Sequence, residues 1–429
     1  MKRDLLLLAL LPFILLVMVQ AQTTSSLTPR DPGVRGDTPG AGGPIAKLTS
    51  NQREYFNSGQ VAFDEIETVS DGLGPRFNAE SCGQCHAHPA TGGTSPFDNP
   101  QIDAGHDANA TNAIPFFITP NGPVREARFP SDGGVHALFT ITGRSDAGSC
   151  STAQEDFNRA ASNNNLVFRI PTPVFGLGLI EAIRQSDLYA NLRSNSSIKQ
   201  AAGISGHLNT SGNDGQVTRF GWKAQNPSMF VFASEAYNVE QGVTNEGFPN
   251  ERDQTASCQL NQVPEDMTNF DGASTSVIGD AQGFTDFMRF LDQPKPAPQT
   301  TSTTNGFKVF NSTGCQLCHT VSFKTPTIRV AALSNITVRL FSDLAVHHMG
   351  TRLADRISQG KAGGDEFRTA PLWGVGQRIF FLHDGRTTDL LQAIQAHSSS
   401  GSEANTVVQR FNNLGAQDQQ DLLNFLRSL

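Results

Sequence analysis

Two copies of the pattern C-x-x-C-H stand far apart in the chain, as Cys82-Gly83-Gln84-Cys85-His86 and Cys315-Gln316-Leu317-Cys318-His319. The spacing sets two thiols one helical turn apart, where each can add to a vinyl group of the same porphyrin. The adjoining histidine then offers a neutral imidazole to the iron. A zinc ribbon keeps its cysteine pairs close in sequence, and a thioredoxin-like dithiol needs a βαβ setting with no obligatory histidine. The pattern therefore predicts two covalently bound haem c groups, held at Cys82, Cys85, Cys315 and Cys318 and ligated by His86 and His319.

Covalent haem attachment requires thiols delivered outside the cytoplasm, and the N-terminus supplies a matching signal. Lys2 and Arg3 precede an apolar run from Leu5 to Val19, followed by Val19-Gln20-Ala21. This reads as a signal peptide over residues 1–21, cleaved after Ala21. The run is shorter than the roughly 20 residues that cross a bilayer, so the expectation is a periplasmic protein with no stable membrane insertion. The formal net charge of −8 becomes −9 without the leader and argues against nucleic acid as a partner.

Gly, Pro, Ser and Thr dominate residues 22–48 without hydrophobic period, which predicts a flexible linker. From residue 49 an internal repeat emerges. Gly59-Gln60-Val61-Ala62-Phe63 is answered by Gly306-Phe307-Lys308-Val309-Phe310, each upstream of a C-x-x-C-H. Phe284 to Leu291 and Leu422 to Leu429 both carry apolar residues at helical spacing and close their units. The glycine in each opening helix resembles the small residue that lets the first helix of a cytochrome c domain approach the last. Pro294-Lys295-Pro296-Ala297-Pro298 and the Thr/Ser run after it predict a linker over 294–305. The expected fold is mainly α, with two cytochrome c-like domains at 49–293 and 306–429. The first is enlarged by loop-rich insertions with some short strands, and 29 Phe against 3 Tyr supply apolar packing for a porphyrin edge.

The stretch from Phe367-Arg368-Thr369-Ala370-Pro371-Leu372-Trp373-Gly374 through Phe381-Leu382-His383-Asp384-Gly385-Arg386 resembles the dihaem oxidoreductase family, also labelled thiol oxidoreductase, which is related to bacterial dihaem cytochrome c peroxidases. Further matches are Phe175 to Glu181, Arg219 to Ala224, Gly242 to Thr244, His347 to Gly350 and Leu353 to Asp355. The resemblance implies a dihaem oxidoreductase with peroxidase-like character, in which the C-terminal haem passes electrons to the N-terminal haem. Its partners would be a periplasmic electron donor or acceptor protein and a small oxidant or organic substrate. An electron-transfer cytochrome without catalysis, and a haem-dependent oxygenase, are the alternatives.

These readings differ in the sixth coordination position of each iron, since a closed position serves electron transfer and an open one serves peroxide chemistry. For the second haem Met349 is the candidate, the one methionine after Cys318, with His347 competing. The family usually reads His-Asp-Met-Gly here, and His348 replaces that Asp. Dihaem peroxidases usually place a Met before His-Asp-Gly, where this chain has Leu382. For the first haem His136 is the candidate, ahead of His106 and His88. If that iron is open, Glu181 resembles in placement the distal carboxylate with which peroxidases move a proton. Cys150 and Cys258 lie outside any haem motif and are expected to form a disulfide. One of Trp222 and Trp373 is expected between the haems.

Overall fold

The computed structural model describes residues 27–269 and 278–429. The expected leader over residues 1–21 lies outside them. Among the described residues no helix is long and apolar enough to cross a membrane.

The fold is mainly helical, and each half is closed by one pair of packed helices. In the first half, α1 (Ser50–Asp64) begins with a capping box made by Thr49 and Gln52 and carries Phe56, Gly59 and Phe63 on its buried face. A four-residue helix, α2 (Cys82–Cys85), holds the first motif. After α3 (Met229–Ala236) the half closes with α4 (Asp280–Phe290). In the second half α5 (Thr301–Thr313) opens and α6 (Ala416–Arg427) closes.

The two pairs are built alike. Phe63 meets Phe287 at 4.9 Å and Phe56 meets it at 5.3 Å, while Phe310 meets Phe425 at 5.5 Å and Phe307 meets it at 5.4 Å. Glycine makes both crossings possible. A methyl on Gly59 would run into the Gly283 carbonyl, and one on Gly306 into the Asp421 carbonyl.

Between α2 and α4 the first half adds a three-stranded antiparallel sheet in the order β2-β1-β3, from β1 (Glu126–Arg128), β2 (Val135–His136) and β3 (Val167–Arg169). Glu126 pairs with Arg169 and Ala127 with His136. A separate core forms there around Phe77, Phe117, Leu138, Phe139 and Phe157. The Cys150–Cys258 disulfide fastens this region over a sequence separation of 108. A cross-link of that length removes chain entropy on the order of 4 to 5 kcal/mol from the unfolded state in the loop-closure model.

The same insertion reaches across to the second half, where β4 (Val346–His348) pairs with β5 (Glu366–Arg368). His207 bridges Val346, and the Trp222 carbonyl accepts from the Arg368 N–H at 2.8 Å. Next to it Lys223 is fully buried, 3.1 Å from Asp355, which also binds Arg169 at 2.7 Å.

Two expectations need correction. The Thr/Ser run after Pro298 is helical, because Thr300 caps α5 and its hydroxyl accepts from the Thr303 N–H. The cap outweighs the modest helix propensity of threonine, so a linker over 294–305 shortens to its proline-rich part. Residues 27–48 are a packed strap that touches both halves. The Ile45 N–H donates to the Phe290 carbonyl at 2.7 Å, the Arg35 N–H donates to Gly376, and Asp31 pairs with Arg427 at 2.6 Å.

The close helix crossing is testable. Gly306→Ala forces α5 away from α6, and a loss of about 1 to 3 kcal/mol in unfolding free energy is expected from denaturant titration. Ala at Gly212, whose surroundings are open, serves as the neutral control.

Candidate functional site

Each C-x-x-C-H motif lines its own cavity beneath one helix pair. Ser81 caps α2, its hydroxyl accepting from the Gly83 N–H at 3.1 Å. In the second motif Gly314 ends α5 in the left-handed region at φ 103°, turning the chain directly into Cys315. Cys82, Cys85, Cys315 and Cys318 are all free thiols. The imidazoles of both motifs are anchored the same way. His86 Nδ1 bonds the Gly93 carbonyl and His319 Nδ1 bonds the Phe341 carbonyl, each at 2.9 Å. That bond fixes Nδ1 as the donor and leaves Nε2 as a lone-pair site. Burial lowers both rings to about 4, so they are neutral at physiological pH.

The first cavity has an unusual wall. Its lining includes Phe63, Phe284 and Met288, together with Glu126, Arg128, Arg169, Glu235 and Glu240. Met288 lies one turn beyond Phe284 on α4, and Phe284 meets Phe63, whose ring in turn meets His86 at 5.9 Å. Met288 therefore belongs to the His86 side, the counterpart of Leu426 in the second half.

Glu240 is delivered by a π-helical turn, Tyr237–Gln241, that follows α3 directly. Such turns add one residue per turn and recur at functional sites. Its carboxyl accepts from Asn78 Nδ2 at 2.7 Å and shares a hydrogen bond with Glu126, which is itself paired with Arg128. Burial, reinforced by the Glu126 charge, lifts Glu240 to about 8. Burial acts on Glu126 too, but Arg128 and Arg169 outweigh it and hold that carboxyl below its usual range. The pair thus keeps one proton between two carboxyls at neutral pH.

The second cavity is mostly apolar, walled by Phe310, Leu353, Phe381 and Leu426 among others. Met349, His347, His383 and His397 all reach it. Both ring nitrogens of His347 are taken, Nδ1 by Glu403 at 2.7 Å and Nε2 by Asp343 at 3.1 Å. Such an imidazole is held as a cation. Met349 packs against Ile170, Trp222, Phe367 and Phe380. His383 stacks on Phe367 at 4.2 Å, and His397 Nδ1 donates to the Ala393 carbonyl at 2.7 Å. Trp222 lines both large cavities, its indole N–H donating to the Ile170 carbonyl at 2.8 Å. Trp373 lines neither of them and instead borders a small cleft beside Trp222.

Several expected residues fall elsewhere. His136 does not line the first cavity, because it stacks on Phe129 at 3.6 Å and turns its nitrogens toward Asp132 at 3.0 Å and Glu155 at 3.7 Å. Glu181 lines neither large cavity, and its carboxylate accepts from the Met229 N–H at 3.3 Å and lies 4.0 Å from Arg289. His88 bonds the Gln377 carbonyl at 2.6 Å. The carboxyl pair escaped the sequence reading, although charged residues in the short run Arg125-Glu126-Ala127-Arg128 were a signal.

With this geometry in hand, the comparisons with known proteins decide the family. The family model described as "Di-haem oxidoreductase, putative peroxidase" matches residues 131–429. The chain belongs to that family. Two haems are what the di-haem oxidoreductases are described by, and two cavities with paired thiols and an anchored imidazole fit them. Among solved structures the chain is similar to the diheme peroxidase BthA from Burkholderia thailandensis E264, at 13% identity over 94% of this chain and 95% of that one, with a TM-score of 0.39. It is also similar to a MauG-like protein associated with microbial copper homeostasis, at 16% identity over 58% and 89%, with a TM-score of 0.28. Against the hydrazine synthase of Kuenenia stuttgartiensis the identity is 18% and the TM-score 0.23, over 35% of this chain and about half, 55%, of that one. No curated protein sequence matches.

The His347 ion pair carries a pH prediction. Burial alone would raise the Glu403 carboxyl, yet the His347 hydrogen bond and charge, with Ser205, hold it at about 2. Its stabilisation is therefore complete above the ordinary carboxylate range and fades as pH falls toward 2. Glu403→Gln should cost about 3 kcal/mol at pH 7, and the gap to the parent protein should narrow below about pH 4.5 in urea titrations.

Proposed function

We propose that this di-haem oxidoreductase is a periplasmic, peroxidase-like c-type enzyme, with the C-terminal haem passing electrons to the N-terminal haem. The observation that carries the reading is the asymmetry of the two cavities, which share Trp222 while only the first holds a proton-sharing carboxyl pair. When bound, the haems supply the redox chemistry on the oxidant and the electron store that feeds it.

The protein's own residues supply the rest. Cys82 and Cys85, and Cys315 and Cys318, would attach the haems, and His86 and His319, with Nδ1 held by a carbonyl, would offer Nε2 to the iron. In the first cavity Glu126 accepts a proton from the incoming oxidant, and Glu240 returns one to the departing oxygen. The pair thereby replaces Glu181 as the favoured proton carrier. Arg128 and Arg169 keep Glu126 ionised for the first half of that exchange. Trp222 lines both cavities, and its side chain offers an aromatic path between them. In the second cavity Met349 would be the second protein residue to hold the iron, since both nitrogens of His347 are paired.

Intact mass of the purified protein should show two covalent haems, and peroxide turnover should be measurable with an electron donor. Glu240→Gln should keep both haems while turnover falls about a hundredfold. In the parent protein turnover should fall as pH rises through about 8, where Glu240 loses its proton, and the variant should lack that limb. Two low-spin irons with no turnover would instead favour the electron-transfer cytochrome.

Met349→Ala tests the second site. A change of spin state or of axial ligand is expected in the absorption spectrum, with a lower midpoint potential. An unchanged spectrum and potential would transfer the role to His397, whose Nε2 is left as a lone-pair site by its bond to Ala393.

A further inference from the structure

Two arginines of the second half carry charge that no described residue answers. Arg368 closes β5, and Arg378 follows the short turn Val375–Gln377. They are only 7% and 8% exposed. Among the described residues neither guanidinium has a hydrogen-bond or ion-pair partner, and Nε and Nη1 of Arg368 are buried and orphaned. Both line the second cavity, and both also line the small cleft that holds Trp222 and Trp373. The cleft has no acidic residue, and the cavity has one, Glu403, already bound to His347 and Ser205. Burial lowers both arginines to about 10, with the Arg378 charge adding to it at Arg368, so they remain protonated near neutral pH.

An unpaired buried ion costs several kcal/mol, and two adjacent ones cost more. Such a pair is stable only if a ligand brings two negative charges into the same space. A guanidinium fork matches a carboxylate geometrically, and a haem carries two carboxylates on one edge. We propose that Arg368 and Arg378 clamp the two propionates of the C-terminal haem, and that their charge biases this haem toward its reduced form. The proposal rests on the haem reading of Cys315, Cys318 and His319. It gives this part of the Phe367 to Gly374 motif a role in setting a potential.

The experiment uses the full chain carrying both haems, with the variants R368M, R378M, R368K and R378K. Spectroelectrochemical titration reads the two midpoint potentials at several pH values. Each Met variant should lower one midpoint potential, enough to shift the ferrous-to-ferric ratio about tenfold at a fixed applied potential, and make it more pH-dependent. The other potential should stay nearly unchanged, and Lys at either position should restore most of the loss. If both potentials keep their parent values in R368M and in R378M, the clamp is wrong. Should either Met variant fail to accumulate, R368Q and R378Q are read in the same way. A parent protein whose mass lacks a haem at Cys315 and Cys318 refutes the haem reading itself, which is a separate result.

Discussion

The contact on which the rest depends is the approach of one helix backbone to another without a side chain between them. Gly59 lies against Gly283 and Gly306 against Asp421, so α1 closes on α4 and α5 on α6 at a distance no other residue allows. Phenylalanines then pack around each crossing, and the rings of Phe63 and Phe310 reach the histidines of the two motifs. A crossing a few tenths of an ångström wider would move these rings, and with them the imidazoles. The cavities are therefore set by two hydrogen atoms in place of two methyl groups.

What distinguishes the halves is what fills the space beyond the imidazole. The second half surrounds it mostly with apolar side chains, and the charges it does bury are the His347 ion pairs with Glu403 and Asp343 and the two arginines, Arg368 and Arg378. The first half brings in β1 and β3, whose register sets Glu126 opposite Arg169, and a π-helical turn that rotates Glu240 onto the same wall. Burying that many ionisable groups is costly, and the disulfide and the Arg169–Asp355–Lys223 network hold the region that does it.

The sequence was most legible where a local pattern equals a local structure. The two motifs, the glycines of α1 and α5, the closing helices and the pair Cys150 and Cys258 all stand where pattern and spacing pointed. Long-range pairing was not legible. Nothing near residue 126 announces that residue 240 will share its proton, because a strand register and a π-turn bring them together. His136 failed for the same reason, since its apolar neighbours belong to the insertion's own core and leave its nitrogens facing Asp132 and Glu155. The Thr/Ser run before Asn305 misled through composition, where a single capping hydroxyl decided the outcome. Arg368 stood inside a stretch already singled out, but its lack of a partner is a fact of three dimensions.

The strap over residues 27–48 has a mechanical consequence. It crosses both halves, and Asp31 is locked to Arg427 near the end of the chain. The proline-rich connection at 294–298 would by itself serve as a hinge, yet the strap runs beside it and is bonded to it, the Lys295 N–H donating to the Gly40 carbonyl and the Arg35 guanidinium to the Lys295 carbonyl. Rotation about the connection has to break these bonds along with the Asp31–Arg427 pair. The two cavities are then braced against each other, so any change in the space between them falls to loops and side chains around Trp222 rather than to a swing of one half against its neighbour.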